Sequence, residues 1–267
     1  DLYDPDLLYW HQDFRVLLAL RYVSQLAGQY GVRSEIKPVL SLPLGASEIT
    51  LEEATSVYGG LVSGQAWSFP GSAQQPGAVL SSKTVDSPAD PALLIAEIRD
   101  VDDRVIYRAE PEAREVAGHQ TAQMTADILH NVVQHGTGRR AKHAILLNGS
   151  PVPAMGKTGT TNDFKNAAFL GAVPRWEDGF DPARAYVIGA YVGYDDNRPM
   201  RNKRILLAGA SGALPPWIAT AEGLASADLL GRPDVSPPED GWALEDDAGL
   251  TRLAVDAKRG LPLEDAA

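Results

Sequence analysis

Three apolar runs of strand length follow one another between Ala154 and Gly193, over 154–161, 167–173 and 185–193. The links between them leave little room for the helical crossover that parallel pairing requires. Consecutive runs of this kind pair as an antiparallel meander. The third run is rich in β-branched and aromatic residues and ends at Asp195-Asp196-Asn197, a turn signal. A sheet of this kind must bury its apolar residues against another layer.

Helical patterns supply that layer. Over 13–28, Val16, Leu17, Leu20, Val23 and Leu26-Ala27 recur at helical spacing, and Gly28 or Gly31 can end the helix. A second helix, over 50–62, starts at Thr50, an N-cap with Glu53 as its capping-box partner. Gly59 and Gly60 inside it indicate close packing against another element. A third, over 119–135, places Met124, Ile128, Leu129 and Val132-Val133 on one face and stops at Gly136. Pro215-Pro216 open a fourth, over 216–230. The expected fold class is α+β, an antiparallel sheet flanked by helices. Residues 92–108 read as a hairpin turning at Asp102-Asp103 and standing outside the main sheet. Residues 32–46, with two prolines, read as a connector, and 63–88, rich in Gly, Ser, Pro and Gln, as a loop or weakly ordered insertion. Beyond Gly231 the chain carries nine acids against four bases. That composition predicts an extended tail with a short helix near 249–258.

Charge and composition remove several function classes. The net charge is −11 with a pI near 4.9, which argues against nucleic acid as a partner. With no cysteine there is no disulfide, thiolate nucleophile or Cys-based metal site. The five histidines (His11, His119, His130, His135, His143) show no ligand spacing and read as surface or helix-end residues. The longest apolar stretch, Ala185–Tyr194, is shorter than the roughly 18–20 residues of a membrane span.

Chemistry concentrates in Met155-Gly-Lys-Thr-Gly-Thr-Thr-Asn-Asp163. Gly156-Lys157-Thr158 copies the end of a phosphate-binding loop, but the glycine that loop needs at 151 is Pro151. The residues after Thr158 are also poor helix starters. The alternative is the Lys-Thr-Gly strand of serine acyl-transfer enzymes. There Lys157, Thr158 and Thr160 offer a cation and two hydroxyls to a substrate carboxylate. Gly159 admits a close substrate backbone, and the Thr160 N–H can serve as an oxyanion donor.

The run Gly156–Phe164, then Phe169-Leu-Gly-Ala-Val-Pro174, then Tyr191-Val-Gly-Tyr-Asp-Asp-Asn-Arg-Pro-Met200 resembles the transpeptidase domain of class A penicillin-binding proteins. So do Leu44–Thr50 leading into Glu53–Tyr58, His135-Gly-Thr-Gly138, and Gly209–Pro215, all in the family's order. The resemblance implies a penicillin-binding-protein or serine β-lactamase-like fold whose N-terminal part lies outside this chain. It implies a partial transpeptidase domain over 1–230, with 63–118 as an excursion, followed by the tail at 231–267. The implied reaction is serine acyl transfer from D-Ala-D-Ala stem peptides of peptidoglycan, which β-lactams mimic. The implied catalytic group is Lys157, Thr158, Gly159 and Thr160, with Thr158, Thr160 and Thr161 on the substrate. No cofactor or metal is implied. The implied place is the cell envelope, on the periplasmic or extracytoplasmic face of the inner membrane, with other cell-wall synthesis proteins as partners.

Two motifs of the family are not where the resemblance would put them. The one Ser-x-x-Lys string, Ser34-Glu-Ile-Lys37, precedes Pro38, which opposes the helix a nucleophile of this type opens. No Ser-x-Asn occurs, and its place falls near Asp13-Phe14-Arg15. The catalytic serine is therefore expected outside this chain, which alone would be inactive. The alternative is a non-catalytic binding or scaffold module with a degenerate second motif.

Overall fold

The computed structural model describes residues 10–68, 71–73, 95–176, 181–202, 204–231, 237, 241–242 and 255–256. Its centre is the expected meander of β8 (Met155–Thr160), β9 (Asn166–Val173) and β10 (Tyr186–Gly193), all antiparallel in the order β10-β9-β8. The registers run Met155↔Ala172 to Thr160↔Ala167 and Tyr186↔Val173 to Gly193↔Asn166. The tight β8–β9 turn uses left-handed backbone at Asp163 and Phe164.

Helices cover both faces of this sheet. Strand side chains alternate between faces. Ala167, Phe169 and Val173 of β9 therefore join α4 (Leu214–Ser226) in one core, through Leu214, Trp217, Ile218 and Ala221. Trp217 is fully buried, meets Phe169 edge-on at 4.9 Å between ring centroids, and donates its indole N–H to Ile188 O at 3.0 Å. Gly156 makes room for the Phe169 ring, because a Cβ there would strike that ring and Leu170 O. On the opposite face Met155 and Ala172 pack with Val62 of α2 (Leu51–Ser63) and Ala126 of α3 (His119–His135).

The helix at α2 forms as its sequence dictates. Thr50 Oγ1 accepts from Glu53 N, and Glu53 accepts from Thr50 N, closing the capping box. Gly60 admits the ring of Tyr30, which a Cβ would overlap. α2 ends at Gly64 in the left-handed region, and Gly64 O accepts from Val116 N and Ala117 N. That contact aligns β1 (Gln65–Ser68) against β5 (Glu112–Glu115). β2 (Gly71–Ala73), β4 (Val105–Ala109) and β3 (Glu97–Arg99) form a separate sheet in the order β2-β4-β3. The β3–β4 hairpin turns at 100–104 and stands outside the main sheet, as its sequence suggests.

Several readings need correction. The segment 63–88 is not all loop: β1 and β2 lie in it, and 74–88 fall outside the described residues. These strands are short and polar, so long-range partners form them, not hydrophobic alternation. On α1 (Gln12–Gln29) only Leu20 is buried, while Val16, Leu17 and Val23 are exposed. On α3 the buried residues are Ala122, Ala126, His130 and Val133, and Met124 and Ile128 face solvent. Small residues face the sheet there because the helix packs close to β8. His130 is thus not a surface residue: it is 5% exposed, and its Nδ1 donates to Ala154 O at 2.8 Å. The last helix begins earlier than expected, after a π-turn over Gly209–Ala213, and ends at Ser226. A small hairpin of β6 (Leu146–Leu147) and β7 (Ser150–Pro151) turns at Asn148-Gly149, both with positive φ. In the segment read as a tail, Trp242 is buried and donates to Pro153 O at 2.9 Å, and Gly231 bridges to Trp176. Of the helix expected at 249–258 only Val255 and Asp256 are described, and neither is helical.

Candidate active site

Lys157, Thr158, Gly159 and Thr160 are the last four residues of β8, the end strand of the main sheet among the described residues. A lysine there followed by continuing strand excludes the phosphate-loop reading, which needs a helix at that point. Period-two alternation puts Thr158 and Thr160 on one face and Lys157 on the other. The Thr161 N–H donates to Asn166 O across the β8–β9 pair at 3.0 Å. In an antiparallel ladder the next residue points the other way. The N–H groups of Thr160 and Thr158 therefore face the open edge.

The lysine bends back along this edge. Its Nζ donates to Thr158 O at 3.1 Å and lies 3.4 Å from Thr158 Oγ1. Thr160 Oγ1 accepts from Gly209 N at 2.9 Å. That bond holds the π-turn against the strand, and Gly209 has to be glycine there. A Cβ would lie 2.7 Å from Thr158 Cβ and 2.8 Å from Gly159 O. Thr158 Oγ1 sits 2.7 Å from Thr137 Oγ1, in the Gly136-Thr137-Gly138 loop after α3. A cation, two hydroxyls and outward N–H groups thus converge on one open strand edge. Such a surface suits a carboxylate and a carbonyl oxygen that gains negative charge.

Thr161 is not part of this convergence. Its hydroxyl accepts from Asn166 N at 2.9 Å within the β8–β9 turn. Ser34 is committed elsewhere: its hydroxyl donates to Glu53 Oε2 at 2.7 Å, and its N–H to Glu53 Oε1 at 2.8 Å. The Arg33 N–H adds a further bond to Oε1. Burial alone would raise the Glu53 pKa. The hydrogen bonds from Thr50, Ser34 and Arg33 outweigh it and lower the value to about 2. Ser34 is therefore part of a clasp centred on the Glu53 carboxylate. Asp13 and Arg15 are exposed in the first turn of α1, whose N-cap is His11 without a side-chain cap bond. Among the described residues no three His, Cys, Asp or Glu side chains group as a metal site. Among them also, no helix is long and apolar enough to cross a membrane.

Thr137 and the Gly209 N–H complete the cluster without a sequence signal of their own. Both lie in blocks that carry the family resemblance, but only the fold brings them to β8.

A helix-covered antiparallel sheet with Lys-Thr-Gly on its end strand is the penicillin-binding-protein and serine β-lactamase-like fold. Penicillin-binding protein 1A of Haemophilus influenzae shares it, with a TM-score of 0.59 at 20% identity, over 94% of this chain and 37% of that one. Penicillin-binding protein 1B of Vibrio cholerae is 30% identical over 200 residues, 74% of this chain and 20% of that protein. Penicillin-binding protein 1A of Aquifex aeolicus is 30% identical over 184 residues, 68% of this chain and 20% of that protein. No protein-family model matches the chain. The chain is a region of the transpeptidase domain of the class A penicillin-binding proteins, and it spans about a fifth of the length of these curated relatives.

Proposed function

We propose that the open edge of β8 is the donor-binding wall of a D,D-transpeptidase site, completed by a catalytic serine from outside this chain. The observation that carries this reading is the convergence of the Thr158 and Thr160 hydroxyls, Lys157 and the outward Thr160 N–H on one edge. The hydroxyls and the lysine hold the terminal carboxylate of a D-Ala-D-Ala stem peptide. The Thr160 N–H takes half of the charge-stabilising role at the scissile carbonyl oxygen. The serine oxygen bonds to the carbonyl carbon, the peptide C–N bond breaks, and D-alanine leaves with a proton. An amine of a neighbouring stem then takes the acyl group and frees the serine. A β-lactam presents the same carboxylate and carbonyl, and stops at the acyl-enzyme. On this reading the protein works at the cell envelope, on its periplasmic or extracytoplasmic face, beside other cell-wall synthesis proteins.

A fluorescent penicillin and mass spectrometry test this in the full-length protein. The expected adduct is on a serine outside this chain, and Lys157→Ala is expected to slow acylation at least about tenfold, the worth of one charge-assisted hydrogen bond. Unchanged acylation in that variant refutes the site. The lack of Ser-x-Asn near Asp13-Phe14-Arg15 favours a second reading, a stem-peptide-binding module without catalysis. Wild-type protein that takes no label but binds stem peptide is the result that selects it.

A further inference from the structure

We propose that Thr137 is a positioning residue that aims the Thr158 proton at the substrate carboxylate, an inference that rests on the β8 edge being the donor site. A threonine hydroxyl has one proton and two lone pairs. Only the proton can bind an anion. Lys157 Nζ approaches Thr158 Oγ1 at 3.4 Å, and Thr137 Oγ1 lies 2.7 Å from the same atom. When Thr137 donates across that short contact, Thr158 is an acceptor toward the protein and its own proton is left for the ligand. Thr160 is arranged in the same sense, since the Gly209 N–H already donates to its oxygen at 2.9 Å. Both hydroxyls of the edge thus have a protein donor behind them and a proton to spare in front.

The loop that carries Thr137 is built to hold it there. Gly136 N and Gly138 N both donate to Val132 O, at 2.9 and 3.1 Å, and Arg139 N donates back to Gly136 O at 3.2 Å. Gly138 is buried, with Val133 Cγ2 3.2 Å from where its Cβ would be. Thr137 itself is exposed and outside the buried core. Its hydroxyl is therefore not needed for packing, and Thr137→Val removes the donor at constant shape.

The test compares a fluorescent penicillin carrying its free carboxylate with the methyl ester of the same compound, in the full-length protein. The readout is the ratio of their second-order acylation rates. Thr137→Val is expected to lower the acid-to-ester ratio roughly three- to tenfold, the range of one net hydrogen bond. Thr137→Ser is expected to restore it. An unchanged ratio in Thr137→Val, or an equal fall with both compounds, overturns the role of Thr137 while the donor site stands. Failure of Thr137→Ser to restore the ratio overturns it as well. Wild-type protein that is not acylated, or that reacts equally with acid and ester, overturns the donor site itself and this inference with it.

Discussion

Replacing Glu53 by glutamine is the most direct probe of how the first half of the described chain is held together. The carboxylate is 3% exposed and accepts from Thr50 N, Arg33 N, Ser34 N and Ser34 Oγ at 2.7–2.8 Å. It therefore ties the start of α2 to the connector after α1. Burial opposes the charge, and the hydrogen bonds more than offset it, lowering the pKa from 4.5 to about 2. At about 1.4 kcal/mol per decade this amounts to ~3 kcal/mol. Allowing for solvent screening brings the figure to ~2 kcal/mol. Because the folded pKa is depressed, the stabilisation is complete above about 4.5 and fades as the pH falls toward 2. A glutamine turns an N–H group toward donors that need an acceptor. Glu53→Gln is expected to lose ~2 kcal/mol at pH 7, or ~4–8 °C in Tm. Near pH 2 protonated Glu53 also has one donor and one acceptor, so wild type and variant should converge. Urea unfolding followed by circular dichroism between pH 7 and 2 measures both. A variant within ~0.5 kcal/mol of wild type at pH 7, or a difference that does not shrink with acid, refutes the reasoning.

Trp217→Ala removes a fully buried ring and its bond to Ile188 O, and should cost ~3–5 kcal/mol in urea unfolding; less than ~1 kcal/mol would show that α4 does not anchor the sheet. Gly209→Ala puts a methyl against Thr158 and Gly159 and should push the π-turn off β8 at a cost of ~1–3 kcal/mol. In the full-length protein it should also slow penicillin acylation with far-UV circular dichroism unchanged. Normal acylation would mean that the Gly209–Thr160 bond does not shape the site.

Much of the architecture is readable because its signals are local. The Thr50–Glu53 capping box needs residues three apart, and the meander needs only alternation and short links. The Lys157–Thr160 string is contiguous and falls within one strand. The β6–β7 hairpin was missed, although its Asn148-Gly149 dipeptide favours the positive φ of a tight turn. The α3 face was not readable, because hydrophobicity alone ranks Met124 and Ile128 above Ala122 and Ala126. Close approach to β8 favours the smaller residues instead. β1 and β5 were hidden for a related reason, as their pairing joins Gln65 to Glu115 across fifty residues.

By itself the sequence determined the meander of the main sheet, the capped start of α2 and the hairpin outside that sheet, since these follow from backbone conformation and neighbours a few positions away. Tertiary structure alone decided what each polar group is bonded to. It gave Ser34 to Glu53, buried His130 beneath Ala154 O, seated Trp242 against Pro153 and brought Thr137 and Gly209 to the open edge of β8. A buried or converging polar group takes whichever partner the fold delivers, because leaving it unpaired costs more than any local preference.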